Sequence, residues 1–287
     1  MGDSPSIVVV GSVNLDIVAT ADRLPLAGET VTGADLSHFP GGKGANQALA
    51  AKRLGADVSL VACVGNDGNA DEALSLLRDG GVDLSFCRTT DSAATGVALI
   101  SVAPSGENQI VVAPGANRNL LPDMVSLPPA DALICQLEVP AATLTGTCTK
   151  FTGFVCVNLA PAMEVPLELL QRADLLVVNE TEAGFYGSLL DKSEGLVAKT
   201  LGASGAQLLR NGEVIAEARS PALTALDSTG AGDTFSAALT VAIVEGQGHS
   251  AALKFACAAG AAAVTKAGAQ PSLPFREEVE ELLLEAE

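Results

Sequence analysis

Phe154–Asn179 reads FVCVNLAPAMEVPLELLQRADLLVVN. Two apolar runs, Phe154–Leu159 and Asp174–Asn179, each have the length of a buried strand, and they flank a short helical stretch at Pro166–Arg172. A strand, a crossover helix and a second strand make parallel neighbours in one sheet. The same reading extends outward. Ser6–Gly11 (SIVVVG), Val58–Val64 (VSLVACV) and Asp131–Leu137 (DALICQL) are further unbroken apolar runs, the pattern of strands covered on both faces. Helical stretches fall at Ala45–Leu54, Asp71–Arg78, Gly232–Glu245, Ser250–Thr265 and Phe275–Glu285. The alternation predicts an α/β fold with a doubly wound, mostly parallel sheet and helices on both faces. No repeat, linker or boundary breaks it, so residues 1–287 are expected to form one domain.

Two segments depart from the pattern. Residues 15–36 and 95–113 carry strand-like runs joined by Pro and Gly turns, the second with P-S-G-E-N as a hairpin loop. Neither holds a crossover helix. They are expected to form a small antiparallel β-sheet lid outside the main sheet, next to the Gly-rich motifs described below.

The charge count, 16 Lys+Arg against 34 Asp+Glu, leaves a net charge of −18, which argues against nucleic acid or an anionic membrane as partner. With 48% hydrophobic and 17% charged residues the chain is not a disordered acidic one. Its longest apolar stretch, Ala251–Val264, is interrupted by Lys254 and reads as a buried helix rather than a membrane span. Six glutamates crowd the tail FREEVEELLLEAE, the pattern of a solvated helix face. The six cysteines form no C-x-x-C pair and sit mostly in apolar runs, as buried thiols do. The opening MGDSPSIVVVG lacks a basic n-region, so the cytoplasm is the expected location; Gly2 and Ser6 fit only a loose acylation pattern.

Two motifs carry chemistry. Asp227–Phe235 (DSTGAGDTF) leads into a small-residue helix. Gly230 and Gly232 allow close approach of a ligand to the backbone, and the free N–H groups with the helix dipole make an anion site. Asp233 at that point is either an N-terminal capping residue or a base that accepts a proton from an attacking hydroxyl. Pro40–Ala48 (PGGKGANQA) is a second Gly-rich turn entering a helix, and it matches neither a Walker A loop nor a dinucleotide fingerprint. Its backbone N–H groups, ammonium and carboxamide suit a polyhydroxylated ligand. Upstream, GSVNLD (11–16) alternates Asn14 and Asp16 onto one side of the chain.

Together these segments resemble the ribokinase-like (PfkB) carbohydrate kinases. GSVNLD (11–16), PLAGETVTG (25–33), GGKGANQA (41–48), TGVALI (95–100), QLE (136–138), NLAPA (158–162), NETEA (179–183), TLGASG (200–205), DSTGAGDTF (227–235) and KAGAQPSLP (266–274) follow the family order along the whole chain. The resemblance implies ATP-dependent phosphorylation of a sugar held between the core sheet and a β lid, with D-ribose phosphorylated at its 5-hydroxyl as the leading expectation. Another sugar or a nucleoside as acceptor, or a non-catalytic sugar-binding protein on the same fold, are the alternatives.

By this resemblance Asn14, Asp16, Gly42, Lys43, Asn46 and Glu138 hold sugar hydroxyls, and Asp233 takes the proton of the primary hydroxyl. Gly230, Ala231 and Gly232 form the anion hole with Asp233. Asn179 and Glu182 serve the phosphates and Mg2+, while Thr200, Gly202, Gly205, Gly232 and Cys257 lie on the nucleotide side. Asp227, Thr229, Ala263, Lys266, Gly268 and Ser272 ring a monovalent cation, K+, several through backbone carbonyls. The resemblance also implies a homodimer formed through the lid. The chain departs from the pattern in a short connection at 184–199, expected to expose part of the nucleotide-side sheet or weaken it, and in Cys257, where relatives often carry His or Asn near the adenine.

Overall fold

The computed structural model describes residues 4–105 and 107–285. Gly2, Gly106 of the hairpin loop and residues 286–287 of the acidic tail lie outside the described residues. In chain order the elements are β1 (Ser6–Val10), β2 (Asn14–Thr20), β3 (Asp35–Gly41), α1 (Lys43–Arg53), β4 (Asp57–Gly65), α2 (Gly68–Ala73), α3 (Ser75–Asp79), β5 (Cys87–Thr90), β6 (Gly96–Val102), β7 (Asn108–Ala113), β8 (Ala132–Gln136) and α4 (Ala141–Lys150). They continue with β9 (Phe154–Asn158), α5 (Leu167–Arg172), β10 (Leu175–Val178), α6 (Glu180–Tyr186), β11 (Leu196–Thr200), β12 (Ala206–Arg210), β13 (Glu213–Ala218), α7 (Ala231–Val244), α8 (His249–Ala262), α9 (Ala269–Ser272) and α10 (Arg276–Glu285).

The main sheet has the order β13-β12-β11-β10-β9-β8-β1-β4-β5. It is parallel from β5 to β11, and β11, β12 and β13 close it as an antiparallel meander. Val8, Val9 and Val10 of β1 are fully buried, because helices cover both faces of the strand. One core lies between the sheet and α1, α7 and α8; the other lies under α4 and α5. Strand order reverses at β1, whose neighbours are β4 on one side and β8 on the other. A crevice opens beyond the carboxyl ends of the strands at such a switch point, and ligands bind there.

The second sheet has the order β3-β2-β6-β7. It differs from expectation in being mixed: β2 pairs antiparallel with β3, β6 pairs antiparallel with β7, but β2 and β6 run parallel. Both of these strands leave the main sheet in the same direction, which forces the parallel pair. Within 15–36 only β2 and the start of β3 are strand; Pro25, Gly28 and Gly33 keep the intervening residues in turns. β3 then runs on to Gly41 and delivers the chain directly to α1.

Other elements also differ. The helix expected over Asp71–Arg78 is broken at Leu74 into α2 and α3. β5, α4 and the meander strands β11, β12 and β13 escape the apolar-run reading, since they are short, Thr-rich or half-exposed. The 184–199 connection holds the end of α6, a 3-10 turn at Gly187–Lys192 and the first residues of β11. Leu196 and Ala198 of β11 are buried and Leu190 packs against the second core, while Val214 and Ile215 on the edge strand β13 are exposed.

Candidate active site

Two helix N-termini converge on the crevice. α1 starts against the turn that follows β1: Ala45 N–H donates to the Ser12 carbonyl at 2.9 Å, and a Cβ on Gly42 (φ +89°) would lie 2.6 Å from the Asn14 nitrogen. Only glycine accepts both that backbone angle and that approach. Glu138, just after β8, accepts from the Lys43 N–H at 3.1 Å and from the Ser12 hydroxyl at 2.5 Å, a carboxylate placed where the helix dipole favours one. α7 starts at Gly230, which is left-handed at φ +84°. Ala231 N–H turns to the Ser228 carbonyl at 3.3 Å, whereas the N–H groups of Gly232 and Asp233 meet no acceptor among the described residues. A Cβ on Gly232 would meet open space, so the free end of α7 is accessible.

α1 packs on α7, and this contact fixes Asp233. Asn46 Nδ2 donates to Asp233 Oδ2 at 2.9 Å, and Gln47 Nε2 donates to Oδ1 at 3.0 Å. Asp233 is 6% exposed. Burial pushes its carboxyl above the ordinary value, while the Lys43 ammonium and the two amide donors pull it back. In turn, Asp233 holds the Lys43 ammonium above its ordinary value. Asp16, on β2, is raised to about 7, chiefly by burial and then by the nearby charges of Glu138 and Asp233.

A cavity of about 460 Å³ gathers these groups. Asn14, Asp16, Gly42, Lys43, Asn46, Glu138 and Asp233 all line it, so every residue expected on a sugar is at one place. Ala98 and Ile100 of β6, with Ile110 and Val112 of β7, form an apolar roof from the small sheet. Asn46 Oδ1 and Asn158 Oδ1 are buried with no partner among the described residues, and both side chains belong to residues that line the cavity. Asn179, Glu182 and Thr200 line its far end. There Asn179 caps α6 and exchanges hydrogen bonds with Glu182 at 2.8 Å each way, and burial raises the Glu182 carboxyl.

A second cavity, about 520 Å³, continues past Thr200, Ser228 and Gly232, which line both. Gly202, Gly205, Phe235, Cys257 and Val264 contribute to its largely apolar wall. The Cys257 thiol, raised to about 11 by burial, faces the Ala218 carbonyl at 3.8 Å. The polar and apolar cavities thus meet at Gly232 by the N-terminus of α7, where free N–H groups lie beside the Asp233 carboxylate of the polar cavity. Such an arrangement can bring a hydroxyl to a phosphoryl group and accept its proton.

The residues expected around a monovalent cation are partly assembled. Asp227 accepts from Thr229 N–H (2.9 Å), Thr229 hydroxyl (2.7 Å) and Gly268 N–H (2.8 Å), tying two loops together. Ala263 ends α8 and is buried, the Ser272 hydroxyl donates to the Ala269 carbonyl at 2.8 Å, and the Lys266 ammonium turns outward to Glu278 at 3.3 Å. No group of three or more His, Cys, Asp or Glu among the described residues could hold a metal ion. Gln47 and Asn158 are site residues that motif reading missed. Gln47 was accessible from helix spacing, since positions 43, 46 and 47 share one face of α1.

Known proteins share this sequence pattern and fold. The model of the pfkB family carbohydrate kinases matches residues 4–276. The chain is 38% identical to ribokinase from Bacillus subtilis over 97% of its own length and 99% of that protein's. A crystal structure of ribokinase from Thermotoga maritima superposes with a TM-score of 0.89 at 34% identity, covering 98% of this chain and 99% of that one. The structure of Arabidopsis thaliana ribokinase complexed with ribose and ATP superposes with a TM-score of 0.86 at 31% identity, over 98% and 99% of the two chains. By the family match over residues 4–276 and the 38% identity over nearly the whole chain, the chain belongs to the pfkB family of carbohydrate kinases.

Proposed function

We propose that this chain transfers the γ-phosphoryl group of ATP to the 5-hydroxyl of D-ribose. The observation that carries the reading is the junction of the two cavities at Gly232, with the Asp233 carboxylate next to it on the polar side. The polar cavity takes the sugar, where Asn14, Asp16, Lys43, Asn46 and Glu138 offer donors and acceptors. The apolar cavity takes the adenosine, beside Gly202, Gly205 and Cys257. Asp233 accepts the proton of the attacking hydroxyl as the new O–P bond forms and the bond to the leaving ADP breaks. Each Asp233 oxygen accepts one amide hydrogen bond and keeps a lone pair for that proton. The N–H groups of Gly232 and Asp233 face the charge on the transferring group. The small sheet acts as a lid that excludes water from the sugar.

Glu182 and Asn179 fit Mg2+ accompanying the phosphates, a hard cation held by one or two carboxylates with water and phosphate oxygens. Bound there, Mg2+ would neutralise phosphate charge. Asp227 ties the Thr229 loop to the Gly268 loop, and the backbone carbonyls of these loops, with Ala263, Lys266 and Ser272, are the oxygen donors this reading assigns to K+. Its charge would support the loop order that Asp227 already imposes on the start of α7. Exposed Leu36, Leu99 and Val111 on the small sheet support a homodimer paired through the lid. The reading assigns the reaction to the cytoplasm; no helix among the described residues is long and apolar enough to cross a membrane.

ADP release measured over pentoses, hexoses and nucleosides, with and without K+, tests the reading. D-ribose should give the highest kcat/KM. Sugar binding without ADP release would overturn it in favour of a non-catalytic binding protein.

A further inference from the structure

Asn117 is 1% exposed and lines neither cavity of the site, yet its side chain makes three hydrogen bonds at the root of the small sheet. It lies in the 3-10 turn Gly115–Asn119 that follows β7. Its Oδ1 accepts from Val13 N–H at 2.9 Å, and its Nδ2 donates to Val13 O at 3.2 Å and to Asn14 Oδ1 at 2.8 Å. The Val13 N–H can only donate, so it decides which end of the Asn117 amide is oxygen. The other end is therefore NH2, and the Asn14 atom facing it must be an acceptor, its Oδ1. The Asn14 NH2 has no partner among the described residues and remains for the cavity that Asn14 lines.

The backbone is shaped around this chain of bonds. Gly96 opens β6 directly opposite Asn14, and a Cβ there would fall 2.2 Å from Asn14 Oδ1 and 2.4 Å from Asn117 Nδ2. Ala116 N–H donates to the Ala94 carbonyl at 2.7 Å, which holds the turn against the start of β6.

We infer that Asn117 is a positioning residue for acceptor recognition: it fixes the Asn14 carboxamide so that this residue presents a hydrogen-bond donor to one hydroxyl oxygen of the sugar. Two residues along the same face, Asp16 presents carboxyl oxygens. The sugar face therefore has a set order, donor at 14 and acceptor at 16, and the order is written outside the site. An amide free to rotate would accept either end of a ligand and hold neither well.

The test is a cycle of Asn117→Ala, Asn14→Ala and the double variant, read as KM for ribose, KM for ATP and kcat, with direct ribose binding by calorimetry. Each single variant should raise the ribose KM and Kd about tenfold and leave the ATP KM near wild type, the size of one lost polar contact. The double variant should be no worse than Asn14→Ala alone. Multiplying effects, or a wild-type ribose KM in Asn117→Ala, would overturn the inference. Should Asn117→Ala fail to fold, Asn14→Asp keeps the acceptor for Asn117 but offers the sugar no donor. Undiminished ribose affinity in that variant would also overturn it. The assignment rests on the cavity being a sugar site: a wild-type protein releasing ADP with no acceptor would overturn both, whereas active protein with unaltered KM in the variants overturns this inference only.

Discussion

Gln47 Nε2 lies 3.0 Å from Asp233 Oδ1, so the side chain that follows the sugar-side Asn46 holds the carboxylate at the head of the opposite helix. Asn46 holds the other oxygen, and both amide side chains are buried. Burial works against the charged form of Asp233; donors aimed at it work in favour. The proposed base is thereby pre-oriented and its charged form supported.

Gln47→Leu removes one of those donors at similar volume. With less support for the charged form, the Asp233 carboxyl should rise further above its ordinary value. The acidic limb of kcat should move to higher pH, with kcat reduced about tenfold at neutral pH and recovering at alkaline pH. An unmoved acidic limb in the pH–rate profile would show that Gln47 does not tune the base.

Asp16 gives a prediction on stability. Its carboxyl ionises at about 7 folded, against an ordinary 3.8 unfolded. The folded state holds this proton more tightly, so the contribution is favourable below pH 3.8 and lost as pH rises through about 7. Asp16→Asn has no such charge to bury. It should stabilise the ligand-free protein at pH 8 by on the order of 3 kcal/mol and leave it nearly unchanged at pH 4, while ribose binding weakens. Denaturation midpoints at the two pH values check this; equal shifts at both would contradict it.

The motif segments made the polar cavity of the site legible. GSVNLD, GGKGANQ, QLE and GAGDTF place donors, acceptors and helix starts within a few residues of strand ends, and folding needs only to bring the carboxyl ends of parallel strands together. Less was legible where the signal is tertiary. Asn117 sits in a turn with no periodicity to mark it, and its role exists only because β1, β6 and β7 meet there. β12 and β13 carry charged or polar residues on an exposed face and never form long apolar runs. The parallel pairing of β2 with β6 joins residues about 80 positions apart, beyond the reach of local pattern.

Cys257 lies in the apolar cavity and its neutral thiol makes only a weak contact with Ala218 O. Cys257→Phe should fill that cavity from α8. The KM for ATP is expected to rise tenfold or more, with ribose binding unchanged by calorimetry. Loss of ribose binding, with the fold intact, would show that the two cavities are not separate subsites.

Glu182 is the buried carboxylate at the far end of the polar cavity. Glu182→Gln retains the shape and can still accept from Asn179 N–H, but it removes the charge available to a cation. The Mg2+ concentration giving half-maximal ADP release should rise several-fold, with little change in the ribose KM. An identical Mg2+ titration would remove Glu182 from the metal-supporting set.

The most direct measurement is ribose-dependent ADP release by Asp233→Asn beside wild type, with ATP and Mg2+ saturating and ribose binding followed separately. Asparagine keeps the size of the side chain and cannot accept the proton. Wild-type protein should turn over ribose, and the variant should bind ribose with similar affinity while losing about 10²- to 10⁴-fold in kcat. Near-normal turnover in the variant would contradict a carboxylate base at the junction of the two cavities.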